Sequence, residues 1–585
     1  MAAIPARLRS VLVDQVGAIV LIVFALYVWA APSVIVDGDN AEFTTLGTVG
    51  GIAHPSGYPL YLLWLRAMTW LPGTPAHAAA IATAILGAAT MFVLHAACRA
   101  WGAKAWAASV TIAMYGAAPV VLRYNTEAEV FALNNLVVAT VLWLAAQRGP
   151  VRGMARVALL ALVAGAGLSN HATCVLAAPI GILGVVRGVR ESSHRIAAVG
   201  AGIAALAIGF TPYAYLLVTT ETSISWTPLH DLDGLLGHFL RRDYGGPGAF
   251  SPHGGDLHVV ANFVALAATL ARVWLWLPGL GGVALLVYRI ARPGETETRW
   301  AWLLLAATFV LVGPALVARF DIEPTSIGLY VVRRFHLLAA LLLAIPVAAA
   351  LDVARKRVTV KLRPAIPIAL ATAAFAADLA TSLVVVVPSR SPAFENAVRD
   401  LLRSMPPNAV IIASGDYFYF GTGYEQLCFD ERPDVIAILW HHVDAPWYRD
   451  RLARRGLIVD THAGGIPSLV IADQILASGR PLFVDITLGN IIAQRPTYPY
   501  GIVFRVLPRD TQRPSIDEVL EINKKLFATF ELDYPTPSDP VELGAAIHHM
   551  YGETWRVIGE ALARSGKQDD AAFAYALARQ LEPKP

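Results

Sequence analysis

Charged residues are scarce in this sequence. Only 15% of its 585 residues are Asp, Glu, Lys or Arg, and 56% are hydrophobic. A soluble domain carries about 25% charged and roughly 45–50% apolar residues. The shortage excludes a soluble globular protein over most of the chain. Cysteine is scarcer still. Cys98 and Cys174 lie in apolar runs and Cys428 stands apart, so neither a disulfide framework nor a cysteine metal site is expected. No basic stripe stands clear of membrane-flanking positions, which argues against nucleic acid as a partner. The sequence has no HExxH pattern, so zinc is not indicated, and GTVGG (47–51) lacks the lysine and the preceding strand of a phosphate-binding loop. MAAIPARLRS leads into an apolar run without a small-residue cleavage pattern, which reads as a retained anchor.

What the sequence has is long apolar runs. About 20 such residues cross a bilayer as a helix, and the runs at 15–36, 76–98, 105–122, 128–146, 155–169, 172–187, 196–218, 259–288, 300–318, 335–353 and 364–387 predict about 11 transmembrane helices. Lys and Arg favour the cytoplasmic side. With the N-terminus inside, inner segments carry 18 of these residues and outer loops 7, which places the C-terminal tail outside. The segment 59–71 (PLYLLWLRAMTWL) is too short to span comfortably and reads as an interfacial helix with Trp64 and Trp70 at headgroup level. The chain divides into a transmembrane unit (1–388), an extracytoplasmic α/β domain (389–530) and a helical tail (531–585). In that tail the Ala/Leu/Tyr spacing of LARSGKQDDAAFAYALARQLEP resembles a tetratricopeptide hairpin.

The outer loops collect costly polar residues. The first holds Asp37, Asp39, Glu42, His54 and Tyr58 and has no Lys or Arg before Pro59; later ones hold Arg123, Glu127, Glu129, Asn170, His171, Trp226, Arg241, Arg242, Asp243, Tyr244, Arg333, Arg334 and His336. Ionisable groups near membrane depth are expensive and point to function. Carboxylates and arginines on one side suit an enzyme that binds an anionic lipid headgroup and activates a neutral nucleophile. Each also has a structural alternative. Asn40 would cap a helix with Glu42 in its first turn, the arginines would snorkel, Arg123 and Glu127 would be an i,i+4 pair, and the histidines would be hydrogen-bonded core groups.

The run GDNAEFTTLGTVGGIAHPSGYPLY is similar to the GDSGE…LGIAHPPGYPLY signature of the transmembrane protein 260 type family, and NTEAEVFALNNL, GLSNHATC, SW…HFLRRDYG and SGDYFYFGTGYEQLCFDERPDVIAILWHHVDAPWYRDRL follow in the family's order. The resemblance implies a GT-C-type membrane glycosyltransferase related to protein O-mannosyltransferases. The family's Ser-Gly is Asn40-Ala41 here, and its second His after SNH is Ala172; the latter puts a direct catalytic role for that turn in doubt. On the resemblance, Asp39 is the acid acting at the acceptor, with Glu42 beside it.

The expected reaction moves a sugar, a hexose such as mannose, from a polyprenyl-phosphate donor to a hydroxyl of a protein or glycan acceptor outside a bacterial inner membrane, with inversion. Asp39 would be the general base and Glu42 its support. Arg241, Arg242, Arg333 and Arg334 would bind the donor phosphate. His54, Tyr58, Glu127, Asn170, His171, Tyr244 and His336 would contact substrate. No cofactor or metal is expected, and the scheme leaves a divalent ion open. The alternative is a transporter or flippase of an anionic or lipid-linked substrate, which would favour midplane charges and inverted repeats.

Overall fold

The computed structural model describes residues 6–246, 256–358, 365–461 and 464–583; MAAIP, Lys361 and Arg363 lie outside them. Most of the first 389 residues are helical. Among the described residues four helices are long and apolar enough to cross a membrane, Pro75–Ala100, Ala172–Glu191, Arg195–Leu217 and His336–Arg357, and a bent pair makes a fifth. Large apolar side chains such as Ile196, Val260 and Leu277 point outward from these helices, the surface that lipid covers and water would not. This is a multi-pass membrane protein.

Three expected spans are interrupted, each for a local reason. The run 259–288 is not one helix: Val259–Val273 and Leu277–Ala291 meet at 107°. Leu275 and Trp276 adopt left-handed backbone at the corner, and Pro278 opens the second helix, where its missing N–H costs nothing. The run 105–122 divides into Ala105–Ala117 and Pro119–Tyr124, with Ala118 extended, as a residue before proline prefers. Arg299–Val310 passes into a π-turn at Leu311–Ala315 around Pro314.

The first loop opens with a helix, Gly38–Val49, whose N-cap is Asp37, not Asn40. The next helix is Pro59–Ala67. It buries Tyr61, Leu62 and Leu65, and Trp64 donates its indole N–H to the Ala82 carbonyl (2.9 Å), while Trp70 is exposed.

The tail contains a five-stranded sheet of order β2-β1-β3-β5-β4. The strands are β1 (Val410–Ala413), β2 (Ile436–Leu439), β3 (Leu482–Val484), β4 (Thr497–Tyr500) and β5 (Val503–Val506). β1 runs parallel to β2 and β3, while β5 is antiparallel to β3 and β4. The parallel strands read VIIA, IAIL and LFV and are buried throughout, because helices cover both faces of such a sheet. Helices Leu543–Arg564 and Gln568–Leu581 close the tail as a hairpin around Trp555, packed on Val519 and Leu520 of helix Ile516–Phe527.

Polar contacts dock the tail on the loops that join the helices. Glu395 accepts from the Ile35 N–H (2.9 Å), Tyr419 donates to the Ser223 carbonyl (2.8 Å), and Arg451 pairs with Glu221 (2.9 Å). Glu542 receives both terminal nitrogens of Arg123 at 2.6 and 2.7 Å.

Helices Gly153–Leu168 and Arg195–Phe210 approach through Gly165 and Gly209, where an added Cβ would stand 2.3 Å from the carbonyl oxygens of Leu206 and Leu162 respectively. Small residues permit this approach where water supplies no drive for helices to associate. Gly165→Val is expected to separate the pair and cost about 1–3 kcal/mol, measured as a lower unfolding midpoint in detergent; an unchanged midpoint would show that the contact is dispensable.

Candidate active site

The site is built on the helix Gly38–Val49. The Asp37 carboxylate accepts the Asn40 N–H (2.7 Å) and so fixes the helix start. Asp39 and Glu42, three residues apart on this α-helix, then lie on one side. Glu42 is fully buried, and its two oxygens accept the His54 backbone N–H (2.8 Å) and meet the ring Nδ1 (2.5 Å). The opposite ring nitrogen, Nε2, meets the Tyr58 hydroxyl at 3.0 Å. The chain reaches this position through Gly57, at φ +88°, where a side chain would strike Leu216 and His238. The loop 211–244 straps the segment down. Tyr213 donates to the Ser56 carbonyl (2.8 Å), Trp226 N–H to the Ile52 carbonyl (2.7 Å), and His238 Nε2 meets the Ala53 carbonyl (3.0 Å).

Arg334 closes the other side. Its Nη1 lies 2.5 Å from Asp39 and 2.7 Å from Glu129. Burial opposes ionisation of Asp39, but Arg334 and His54 outweigh it and hold the carboxyl below its usual range. Burial drives Glu129 the other way, against Arg334, so its proton is held more tightly than usual. Burial would lower His54, yet Glu42 and Asp39 raise it above the ordinary value, with Arg241 opposing. Burial pushes His171 down to about 3, with Arg241 and Arg334 adding to it.

The expected residues separate into two groups. Asp39, Glu42, His54, Tyr58, His171, Arg241, Tyr244 and Arg334 come together. His171 stacks on Tyr58 (5.8 Å) and Tyr244 on Trp226 (5.8 Å), which in turn lies 6.5 Å from His54. The Arg241 guanidinium lies over the Tyr244 ring at 5.0 Å and makes no ion pair among the described residues. The others point elsewhere. Arg242 turns to the surface and pairs with Asp233 (3.1 Å). Arg333 has Arg272, Arg123 and Asp539 as charged neighbours, not the first-loop acids. His336 is buried against Thr269 (2.9 Å). Asn170 donates to the Val130 carbonyl (3.1 Å), a contact that ties two outer turns. Glu127 joins a buried chain in which Arg123 donates to it (3.1 Å) and the Tyr330 hydroxyl lies 3.1 Å away, also bonded to Asp37.

Sequence reasoning gave no role to Asp37, Tyr330, Glu542 or Asp416. Tyr330 and Glu542 carry no local signal, because their partners are 203 and 419 residues away. Asp37 could have been found as the Asp preceding a helix, a favoured N-cap.

One ligand atom each from Asp39, Glu42 and His54 lies within 4.8 Å of the others. Two carboxylates and an imidazole suit a divalent cation. Here Asp39 is engaged by Arg334 and both Glu42 oxygens by His54, so a cation would have to displace the His54–Glu42 contact.

Residues 39–195 match the family model described as Protein O-mannosyl-transferase TMEM260 N-terminal domain. The chain is 26% identical over 451 residues to Protein O-mannosyl-transferase TMEM260 of Mus musculus, covering 74% of this chain and 63% of that protein. It is 25% identical over 253 residues to Protein O-mannosyl-transferase tmem260 of Dictyostelium discoideum, covering 39% of this chain and 30% of that one. Over residues 39–195 the chain is similar to the TMEM260-type family. It spans less than two thirds of the length of either relative. Among solved structures, ArnT from Cupriavidus metallidurans bound to undecaprenyl phosphate superposes with a TM-score of 0.51 at 13% identity, over 86% of this chain and 100% of that one. That likeness is one of fold alone, and the fold is GT-C-like.

The Glu42–His54 pair makes a pH prediction. His54 is raised in the fold by Glu42, so its stabilising share is full below about pH 6.5, the ordinary value, and is lost as pH rises through the folded value. In Glu42→Gln, burial acts without its main opponent, and His54 is expected to titrate below about 6.5. Histidine NMR across a pH series checks this; a His54 still above the ordinary value would remove Glu42 as the cause.

Proposed function

We propose that the protein is a membrane glycosyltransferase that moves a sugar from a polyprenyl-phosphate donor to a hydroxyl outside the membrane. The observation that carries this reading is one edge of the fold where an ionised Asp39, held by Arg334, and the unpaired cation Arg241 flank the same His54–Tyr58 pair. The family names support sugar transfer to protein, and the lipid phosphate in the ArnT structure supports the donor class. The hydropathy runs and charge bias support about eleven spans with the N-terminus inside and the site and tail outside. The Ala/Leu spacing supports a tetratricopeptide-like reading of the last hairpin.

In this mechanism the acceptor hydroxyl approaches Asp39. The hydroxyl becomes acidic as its oxygen bonds the anomeric carbon, and Asp39 takes the proton, a contribution of about 10²–10⁴-fold. The leaving phosphate gains charge as the old bond breaks. Arg241 is the cation to meet it, because Arg334 is already paired with the ionised Asp39 and serves to orient it. Glu42 holds His54, and His54 holds Tyr58, so the three line the space between base and phosphate. One base and no protein nucleophile give a single displacement with inversion.

Asp39→Asn is expected to lower transfer from a labelled polyprenyl-phosphate sugar by at least about 10²-fold while the protein remains inserted and folded; full activity would sink the assignment of the base. Arg241→Ala is expected to raise the donor KM by about tenfold or more, the loss of one charged contact, and Arg242→Ala to leave it near wild type. The reverse ranking would return the phosphate role to Arg242.

A further inference from the structure

Two arginines stand apart from the ion-pair network. Arg333 ends the helix Ser326–Arg333, and Arg272 lies in the last turn of Val259–Val273. Thr269 Oγ1 meets His336 Nδ1 at 2.9 Å. Each arginine lies three residues from one partner of that contact, which brings both to one corner of the fold. The charged groups that act on Arg333 are Arg272, Arg123 and Asp539. Arg123 is answered by Glu127 and Glu542. Asp539 accepts the Val541 N–H (3.0 Å). Neither Arg333 nor Arg272 makes an ion pair among the described residues. Arg333 is half-buried and Arg272 exposed. Charges drawn out of water are ordinarily paired, and here two cations share a corner without an anion.

The corner is built like a membrane surface. Helix Leu277–Ala291 packs along His336–Arg357, one of the helices long and apolar enough to span. Val259–Val273 meets Leu277–Ala291 at 107° and therefore lies close to the membrane plane. It has the two faces of an interfacial helix. Asn262, Leu266 and Val273 are buried on one side, and Val260 and Val264 are exposed on the other. Past the bend, Trp276 and Leu277 are exposed as well. Arg272 thus sits between two stretches of bare apolar surface with an indole close by, the company that arginine keeps at headgroup level.

We propose that Arg272 and Arg333 bind the phosphate of an anionic bilayer phospholipid, and that this lipid steadies the helix end from which Arg334 reaches Asp39. Guanidinium groups offer a phosphate planar, bidentate donors. The exposed side chains on both sides of the bend offer its acyl chains a surface, which a free phosphate would leave unused. The site is separate from Arg241, which lies beside Tyr244. Arg333 and Arg334 are consecutive at the end of one helix, so an anion held by the first restrains the second. The binding stands on the two arginines alone, whereas its effect on catalysis rests on the glycosyl-transfer reading.

The test uses full-length protein in phosphatidylcholine nanodiscs and phosphatidylglycerol with a photoreactive headgroup. Crosslinks, mapped by peptide mass spectrometry, are expected within 269–276 and 330–336 and are displaced by unlabelled phosphatidylglycerol. Arg272→Gln and Arg333→Gln are each expected to weaken capture about fivefold, the usual worth of one arginine at an anionic lipid surface. Arg272 is exposed, so its replacement spares the fold. Unchanged capture in the double variant, or equal displacement by phosphatidylcholine or by inorganic phosphate, would each overturn the lipid site. Transfer from a labelled polyprenyl-phosphate sugar is then timed with and without phosphatidylglycerol in the nanodisc. The wild-type rate is expected to rise with the anionic lipid, and Arg272→Gln to keep the phosphatidylcholine rate and lose the rise. A rise that survives in Arg272→Gln would overturn the link to Arg334. Capture that depends on both arginines in a protein that transfers no sugar in either nanodisc would sink the glycosyl-transfer reading and leave the lipid site standing.

Discussion

The Arg334 guanidinium between Asp39 and Glu129 is the contact on which the site depends. The loops at this end of the helices bring Asp37, Asp39, Glu42, Glu127 and Glu129 together, largely out of bulk water. Removing one partner of a buried ion pair leaves an uncompensated charge, at a cost of about 3–5 kcal/mol. Two cations answer this cluster from within. Arg334 serves Asp39 and Glu129, and Arg123 serves Glu127 and Glu542. The remaining acid pairs with His54. What is left at the mouth of the site is Asp39, held by Arg334 alone, and Arg241, which makes no ion pair among the described residues. Compensation elsewhere is therefore what makes these two available to a substrate.

The same electrostatics explains why the tail is part of the site. Glu542 lies in the last 50 residues, yet it is the bidentate partner of Arg123. Arg123 in turn donates to Glu127, Glu127 meets Tyr330, and Tyr330 meets Asp37, the cap of the helix carrying Asp39. Without the tail, Arg123 would face the membrane unit with half its charge unanswered. Helix Ala393–Ser404 adds a second tie through Glu395 to Ile35, at the entry to the first loop. The N-terminal end of the acidic helix is thus held by contacts that lead back to the tail.

What the sequence could and could not disclose follows from range. The acids of the first loop were legible because they cluster within six residues and stand where hydropathy ends. The meeting of Asp39 with Arg334 was legible only as two outer-facing groups of opposite charge, since 295 residues separate them. Adjacent arginines misled. Arg241 and Arg242 look equivalent as RR, but the left-handed backbone at Arg241 (φ +56°) sends consecutive side chains apart, one over Tyr244 and one to Asp233. Arg333 and Arg334 divide likewise at a helix end, where successive residues lie about 100° apart. Span lengths were misread where proline or a left-handed corner breaks a run that hydropathy alone sees as continuous, as at Trp276 and Pro119.

A corollary concerns why Asp39 tolerates so strong a partner. A carboxylate tied to Arg334 is a weaker base than a free one, and proton transfer favours a base whose pKa lies near the working pH. The fold offers a compensation. Glu129 shares the same guanidinium nitrogen and, being pushed toward its neutral form, neutralises little of its charge. When Asp39 takes the acceptor's proton, Arg334 loses its nearer anion. Glu129 remains 2.7 Å away on the same nitrogen, so Arg334 keeps a hydrogen-bond acceptor after the transfer. An arginine shared by two carboxylates of unlike proton affinity holds the base ionised before transfer and keeps a partner after it.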